Sequence, residues 1–283
     1  MEKIRLNDGH EMPQMGIGLY QVPDDESCVE YVKSSLQMGF RLIDTAASYL
    51  NERSVGKGIK ASGIPREELF VTTKLWVQDY GYEKALKAID GALERLGLEY
   101  VDLMLLHRHE GDSIGAYKAM EEAQKQGKIR SIGVCNYTVK YMQELLENTS
   151  VIPAVNQVEC HPLQQEKALR ELMDLKNIRL ESWFPLGHGS KRLKFNETLT
   201  AMAEKYQKSI SQIILRWHIQ EGFVVIPKSM NPEHMKENMT AFDFVLDEAD
   251  MDAIRALDMN RYLGGNPEDE EAAAKRLETV YTF

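Results

Sequence analysis

Polar side chains close several short apolar runs of this sequence, at the point where each run gives way to a loop. Asp44 closes one run, Lys74 the next and His107 a third, and Asn136, Gln157 and Glu159 close two later ones. A carboxylate, an ammonium and an imidazole are groups that transfer protons or stabilise charge developing in a reaction. Each alone is also consistent with a solvated loop residue or a structural histidine. Their meaning depends on whether the fold brings them together.

The elements that carry these residues alternate along the chain. Eight apolar runs of strand length begin near Met15, Phe40, Phe70, Val101, Ser131, Ala154, Arg179 and Phe223. Segments with helical spacing lie between them, at Ser27–Met38, Asn51–Ala61, Tyr82–Leu96, Ile114–Gln126, Val139–Asn148, Gln165–Lys176, Asn196–Tyr206 and Ser209–Glu221. Strands separated by crossover helices are parallel, and eight such units predict an (α/β)8 barrel of the TIM type. Neighbouring strands end about 4.8 Å apart at one mouth, which would let the polar side chains converge.

Further elements flank the eight repeats. Residues Ile4–Met12 hold Asn7-Asp8-Gly9 between short apolar runs, which predicts an N-terminal β-hairpin that plugs one end of the barrel. Accessory helices are predicted at Pro232–Met239 and Asp247–Leu257, followed by a polar tail (GGNPEDEE) with no core pattern. Because no low-complexity linker interrupts the pattern, we expect residues 1–283 to form one domain.

Composition excludes several classes of function. The 283 residues include 44 acidic and 34 basic side chains, a formal charge of −10, which repels nucleic acid and anionic lipid. Cys28, Cys135 and Cys160 are an odd number at wide spacing, which is typical of neither a disulfide framework nor a zinc site. The first residues lack the apolar stretch of a signal peptide, and no window approaches a membrane span. We therefore expect a cytoplasmic protein with no nucleic-acid or membrane partner.

Several segments carry a resemblance to a known family. The stretch GFRLIDTAASYLNERSVGKGI (Gly39–Ile59) is similar to the signature segment of the aldo-keto reductases. The likeness continues in TTKLW (Thr72–Trp76), VDLMLLH (Val101–His107), IGVCNY (Ile132–Tyr137), NQVECHP (Asn156–Pro162) and VIPKSMNPEHMKENM (Val225–Met239). This resemblance covers nearly the whole chain in the family's order. It implies a barrel that reduces an aldehyde or ketone with NAD(P)H and without a metal.

The resemblance places the family's catalytic tetrad on Asp44, Tyr49, Lys74 and His107. Reduction needs a hydride, which the nicotinamide supplies, and a proton for the developing alkoxide. A tyrosine with a pKa near 10 is a slow proton donor, so we expect Lys74 to lower the pKa of Tyr49. Asp44 would keep Lys74 charged and in place, and His107 would orient the carbonyl oxygen.

The resemblance also implies which residues bind the cofactor. They are Asn136, Gln157, Trp183, Leu186, Lys228, Ser229, Asn231, His234, Glu237 and Asn238. Three positions depart from the family, since Cys135 replaces the usual serine, Trp183 a common tyrosine and His234 a usual arginine. His234 holds at most part of a charge at pH 7. We therefore expect NADPH as cofactor, with NADH as a possible alternative.

The substrate end of the site departs furthest from the family. Tyr20 and Trp76 are predicted to form apolar walls, or they simply belong to the core. After His107 the family usually has tryptophan and proline, whereas this chain has Arg108 and His109. The Arg108 guanidinium suits a carboxylate or a phosphate, although a solvated loop residue is the alternative. In the tail, Tyr281 and Phe283 either fold over the site or are disordered.

Two other functions remain open at this point. His107 and His109 form an HxH pair of the kind that ligates a metal in barrel hydrolases, but Lys74 and Tyr49 would then be unexplained. A barrel that binds nucleotide as a sensor or accessory subunit, with little turnover, is the second alternative. The favoured hypothesis is a monomeric reductase of a small-molecule carbonyl substrate.

Overall fold

The computed structural model describes residues 2–282 and begins with a two-stranded hairpin. Strands β1 (Lys3–Arg5) and β2 (Glu11–Pro13) pair in antiparallel register around the predicted turn. Leu6 and Met12 are buried in one apolar cluster with side chains from the barrel interior. The hairpin therefore plugs the end of the barrel that is remote from the carboxyl ends of its strands, as predicted.

Eight parallel strands follow and form the barrel. They are β3 (Gly16–Gly18), β4 (Leu42–Asp44), β5 (Phe70–Leu75), β6 (Val101–Leu106), β7 (Ile129–Cys135), β8 (Val155–Glu159), β9 (Arg179–Trp183) and β10 (Val224–Val225). The strands are arranged in the sheet in chain order. A parallel bridge between Met15 and Val225 joins the first strand to the last. The predicted (α/β)8 barrel is confirmed.

Helices connect the strands and pack around them. They are α1 (Glu26–Met38), α2 (Glu52–Ser62), α3 (Tyr82–Leu96), α4 (Ser113–Lys125), α5 (Val139–Asn148), α6 (Lys167–Leu175), α7 (Lys191–Lys194), α8 (Glu197–Tyr206), α9 (Ile210–Gln220), α10 (Pro232–Met239), α11 (Glu248–Arg255) and α12 (Glu270–Glu278). The ten helices predicted from spacing are confirmed within two residues at each end. Within residues 2–282, no helix combines the length and apolarity needed to cross a membrane.

Helix boundaries follow capping chemistry more than apolar spacing. Ser209 and Gln212 form a capping box at the start of α9, in which each side chain bonds the other's backbone N–H. Gly39 ends α1 with φ of 116°, a left-handed conformation that favours glycine.

The polar tail has no core pattern, as expected, but it leads into a helix, α12, that the sequence did not predict. Asp269 caps this helix by accepting a hydrogen bond from the Ala272 N–H at 3.0 Å, and three consecutive alanines follow. None of its residues is buried, which explains why no core pattern was visible. An ion pair between Arg276 and Glu110 holds the helix against the loop after β6.

Candidate active site

The carboxyl ends of β4, β5 and β6 bring together the four residues of the predicted tetrad. Asp44 ends β4, Lys74 is the penultimate residue of β5, and His107 directly follows β6. Tyr49 ends a short 3-10 turn, Ala47–Tyr49, in the loop between β4 and α2. Asp44, Tyr49 and His107 line one cavity, and Lys74 contacts the Tyr49 hydroxyl. The structure therefore places all four side chains at the same mouth of the barrel.

Lys74 is the centre of this cluster and is almost completely buried. Its Nζ donates to Asp44 Oδ1 at 2.5 Å and to the Thr45 carbonyl at 2.9 Å, and it lies 3.4 Å from the Tyr49 hydroxyl. Burial opposes the charge, but the Asp44 carboxylate raises the pKa of Lys74 above its usual value. Lys74 is therefore a fixed cation directed at the phenol oxygen.

The pKa of Tyr49 differs from the sequence expectation. Burial raises it above the usual value, and Lys74 only opposes that rise. The expected direction of the lysine effect holds, but the low-dielectric surroundings outweigh it. Tyr49 is thus a phenol that carries its proton at neutral pH. Lys74 makes the loss of this proton less costly than burial alone would.

His107 is a neutral imidazole beside Tyr49. Burial, with the positive charges of Lys74 and Arg108, lowers the pKa of His107 well below its usual range. The ring centroids of His107 and Tyr49 are 5.6 Å apart, and the Trp76 ring meets His107 edge-on at 5.2 Å. Ser48 Oγ lies 3.2 Å from Nδ1 and is able to donate to it, which would leave the proton on Nε2.

A layer of buried polar groups lies beside the tetrad. One of them, Glu181, was missed by sequence reasoning. Gln157 Nε2 donates to Asp44 Oδ2 at 2.7 Å and to Glu181 Oε2 at 2.9 Å. Gln157 and Glu181 are neighbours in the register of β8 and β9. Burial, then the nearby Asp44, raises the pKa of Glu181 to about 8. A charged residue inside the strand predicted to begin near Arg179 was the signal that could have found Glu181.

The carboxyl groups of Asp44 and Glu181 determine how the Gln157 amide is oriented. Its Nε2 faces both acids, while its Oε1 faces Cys135, whose Sγ lies 3.7 Å away. Burial raises the pKa of the Cys135 thiol to about 12, so the thiol keeps its proton. Cys135 therefore acts as a weak hydrogen-bonding group, as its replacement of serine predicts.

Trp183 presents an indole to the cavity and is held on two sides. Its Nε1 donates to Asn136 Oδ1 at 3.0 Å. On the other side, a Cβ added to Gly264 would lie 2.6 Å from the indole, so only glycine fits there. Glu159 holds this glycine by accepting hydrogen bonds from the Leu263 and Gly264 N–H groups.

One cavity of about 820 Å³ connects these groups. Five of the predicted cofactor residues line it: Asn136, Gln157, Trp183, Leu186 and Lys228. They offer two side-chain amides, an aromatic face and a cation, which fit a dinucleotide bearing a carboxamide, a planar ring and phosphates. Lys194 and Arg108 also line the cavity, so three cationic side chains face it.

Among the described residues, the other five predicted cofactor positions lie outside the cavity lining, in the loop after β10 and in α10. Ser229 and Asn231 precede α10, and the Asn231 side chain caps it by accepting from the Glu233 N–H at 2.9 Å. His234 is exposed, Glu237 is partly exposed and Asn238 is buried. The structure thus places these positions in the segment that follows Lys228 in the chain, outside the cavity lining.

The C-terminal tail reaches the end of the cavity that Tyr20 and Trp76 line. Tyr281 stands edge-on to Trp76 with centroids 5.5 Å apart, and its backbone exchanges two hydrogen bonds with the Gln78 side chain. Tyr20, which is 47% exposed, also lines the cavity. Of the two tail residues named from sequence, Tyr281 folds over the site and Phe283 lies outside the described residues.

The two histidines of the HxH motif have different surroundings. The His109 ring stacks on Tyr141 at 3.6 Å, whereas His107 faces Tyr49 and Trp76. Among residues 2–282, no group of three or more His, Cys, Asp or Glu side chains is placed to hold a metal ion. Nothing in the structure favours the hydrolase alternative.

Comparisons with known proteins agree with this geometry. The family model described as the aldo/keto reductase family matches residues 14–259. Glyoxal reductase of Bacillus subtilis strain 168 is 46% identical over 269 residues, covering 95% of this chain and 97% of its own. Methylglyoxal reductase DkgA of Escherichia coli K12 is 41% identical over 268 residues, covering 94% and 96%.

Solved structures share the fold. MGS-M4, an aldo-keto reductase from a Medee basin deep-sea metagenome library, is 42% identical with a TM-score of 0.91, covering 94% of this chain and 98% of its own. A mutant of Gox0644 in complex with NADPH is 39% identical with a TM-score of 0.89, covering 95% and 98%.

Proposed function

Because this chain belongs to the aldo/keto reductase family, and so reduces aldehydes or ketones with a nicotinamide cofactor, we propose that Tyr49 is its proton donor and that Lys74, Asp44 and His107 assist it. The observation that carries this assignment is the chain of contacts from Asp44 through the buried Lys74 to the Tyr49 hydroxyl.

The reaction needs one hydride and one proton. When bound, the nicotinamide supplies the hydride that adds to the carbonyl carbon. As charge develops on the carbonyl oxygen, Tyr49 gives that oxygen its phenolic proton and the alcohol forms. The Lys74 ammonium stabilises the phenolate that remains, and Asp44 holds Lys74 at 2.5 Å so that this charge does not move.

His107 is proposed to place the carbonyl before the proton moves. Its pKa is held low by burial and by Lys74, so the ring is neutral and donates one hydrogen bond rather than a proton. With Ser48 bonded to Nδ1, the Nε2–H is the donor available to the carbonyl oxygen. The same oxygen then accepts from both His107 and Tyr49, which fixes its position.

The cofactor proposal rests on the groups that line the cavity. Asn136 and Gln157 would hold the carboxamide, Trp183 would stack on the nicotinamide ring, and Leu186 would pack beside it. Lys228, with Ser229, Asn231, His234, Glu237 and Asn238, would hold the adenosine end. We propose NADPH as the preferred cofactor because Lys228 offers a cation for the 2′-phosphate. His234 stands where the family usually has arginine, so NADH would also be accepted.

The substrate proposal is a small carbonyl compound. Relatives of this chain are named a glyoxal reductase and a methylglyoxal reductase, and both of these compounds are short dicarbonyls. Tyr20, Trp76 and Tyr281 narrow the mouth with aromatic walls, which favours a short substrate over a bulky one. Arg108 adds a charge to the same region.

We also propose that residues 1–283 act as a single-domain monomer in the cytoplasm. One eight-stranded sheet organises the described residues, and Cys28, Cys135 and Cys160 are all free and buried, which suits a reducing compartment. Sedimentation at micromolar concentration with and without NADPH would test the monomer, and a stable dimer would contradict it.

The decisive experiment is the Tyr49→Phe variant. The ring stays and only the proton donor is lost, so we expect NADPH binding to be kept and turnover of glyoxal or methylglyoxal to fall by at least ~100-fold. Tyr82→Phe, which removes a hydroxyl from an exposed tyrosine of α3, is the control. Retention of more than half of the turnover by Tyr49→Phe would refute the tetrad assignment. Absence of turnover in the wild-type chain itself is a separate outcome, and it would restore the nucleotide-binding alternative.

A further inference from the structure

Arg108 places a guanidinium in the cavity, and no side chain among residues 2–282 pairs with it. The chain bends at His107, directly after β6, and this bend lets consecutive residues both reach the cavity lining. Arg108 Nε is buried and has no hydrogen-bond partner in the described part of the chain. Across residues 2–282, no acidic side chain lies within ion-pair distance of this guanidinium.

The acidic side chains nearest to Arg108 in the sequence and at the tetrad are paired with other cations. Glu110, two residues further on, is paired with Arg276 of α12. Asp44 is paired with Lys74. A guanidinium facing a cavity with no carboxylate beside it is costly to desolvate unless an anion binds to it.

The Arg108 side chain faces the cavity, and the Arg108 backbone is held in place by Tyr80. The Tyr80 hydroxyl donates to the Arg108 carbonyl at 2.8 Å and accepts from the Arg108 N–H at 3.1 Å. The field of Arg108 lowers the pKa of His107 and opposes the rise at Cys135, both of which lie at the inner end of the cavity.

Arg108 also lies on the other side of the barrel from the proposed phosphate site. It follows β6, whereas Lys228 follows β10, and these strands are four steps apart in the eight-stranded order. Strands four steps apart face each other across such a barrel. The anion that pairs with Arg108 therefore belongs to the substrate rather than to the cofactor's adenosine end.

We propose that Arg108 is a substrate-carboxylate subsite, and that the enzyme prefers short aldehyde or keto acids whose carboxylate is a few bonds from the carbonyl. This inference rests on the proposed function, because His107 and Tyr49 must hold the carbonyl oxygen while Arg108 holds the acid. His107 and Arg108 are adjacent residues, so their ligands lie close together. The planar fork of the guanidinium matches the two oxygens of a carboxylate.

The test compares 4-oxobutanoate with its methyl ester, which has the same carbonyl and no charge. Initial rates with NADPH are measured for the wild type, for Arg108→Met and for Arg108→Lys. Arg192→Met is the control, since Arg192 is an exposed arginine on α7 and its loss changes the net charge equally. NADPH binding is measured for each variant by fluorescence.

We expect the wild type to prefer the acid. Arg108→Met should lower kcat/KM for the acid by about 10- to 100-fold, mainly by raising KM. The same substitution should change kcat/KM for the ester by about twofold or less. Arg108→Lys should retain part of the preference because the charge remains, and Arg192→Met should retain all of it.

Several results would overturn the proposal. One is an unchanged acid-to-ester ratio in Arg108→Met, and another is an equal loss for both compounds, which would assign Arg108 to the fold or the carbonyl site. Weaker NADPH binding with an unchanged ratio would assign it to the cofactor. If the wild type reduces glyoxal but neither test compound, the subsite is wrong and the proposed function stands. If it reduces no carbonyl compound at all, both fail.

Discussion

Replacing Glu181 by glutamine should stabilise the folded protein at alkaline pH and leave it nearly unchanged at pH 5. Glu181 is fully buried on β9 and shares the Gln157 amide with Asp44. Burial, then the Asp44 charge, raises its pKa to about 8 from the usual 4.5. Glutamine keeps the shape and an acceptor for Gln157, but it has no proton to release.

The expected magnitude follows from the two pKa values. Above pH 4.5 the unfolded chain releases the Glu181 proton, whereas the folded chain keeps it until about pH 8. The folded state then binds more protons than the unfolded state, so stability falls as pH rises, by about 1.4 kcal/mol per pH unit. Over the whole interval the loss is about 5 kcal/mol. Above pH 8 both states are ionised and the loss stays constant.

Urea unfolding of the wild type and Glu181→Gln at pH 5 and pH 8.5 measures this difference. We expect the variant to be more stable than the wild type by about 3–5 kcal/mol at pH 8.5 and by less than about 1 kcal/mol at pH 5. Glu99→Gln, a change of the same type at an exposed position, should show no such dependence. A difference that is the same at both pH values, or that favours the wild type at pH 8.5, would refute the assignment of a buried proton to Glu181.

Two further substitutions test the cofactor assignment. Lys228→Met should weaken NADPH binding by roughly tenfold and leave NADH binding nearly unchanged, because only the 2′-phosphate loses a charged partner; an equal loss for both cofactors in a fluorescence titration would contradict this. Gly264→Ala should weaken NADPH binding and slow turnover, because its Cβ would lie 2.6 Å from the Trp183 indole and displace it; unaltered cofactor affinity would show that the ring position does not matter.

The order and type of the helices and strands could be predicted from the sequence. The hydrophobic periodicity and the turn residues that define them involve only residues close together in the chain. The helices Tyr82–Leu96, Val139–Asn148 and Pro232–Met239 have the same bounds in sequence and structure. The hairpin was visible from Asn7-Asp8-Gly9 alone. Eight alternating units leave few arrangements other than a barrel, and a barrel brings the carboxyl ends of its strands to one mouth. The sequence was therefore sufficient to predict that Asp44 and Lys74 lie close together.

The sequence did not reveal the helix α12 in the polar tail. Its contacts with the barrel join residues far apart in the chain, such as Arg276 and Glu110, which are 166 positions apart. No apolar period marks a helix whose residues are all at least partly exposed.

The tertiary structure determines the pKa values and the charge pairing of the site residues. Burial outweighs Lys74 at Tyr49, Glu181 keeps a proton beside an amide that it shares with Asp44, and Arg108 faces the cavity without a partner from the described chain. A pKa depends on how far water and other charges lie from a group, and Gln157 meets Asp44 across 113 positions of sequence. The sequence by itself identified which groups could do the chemistry. Only the packing of distant strands decided which of them hold protons and which charge is left for a ligand.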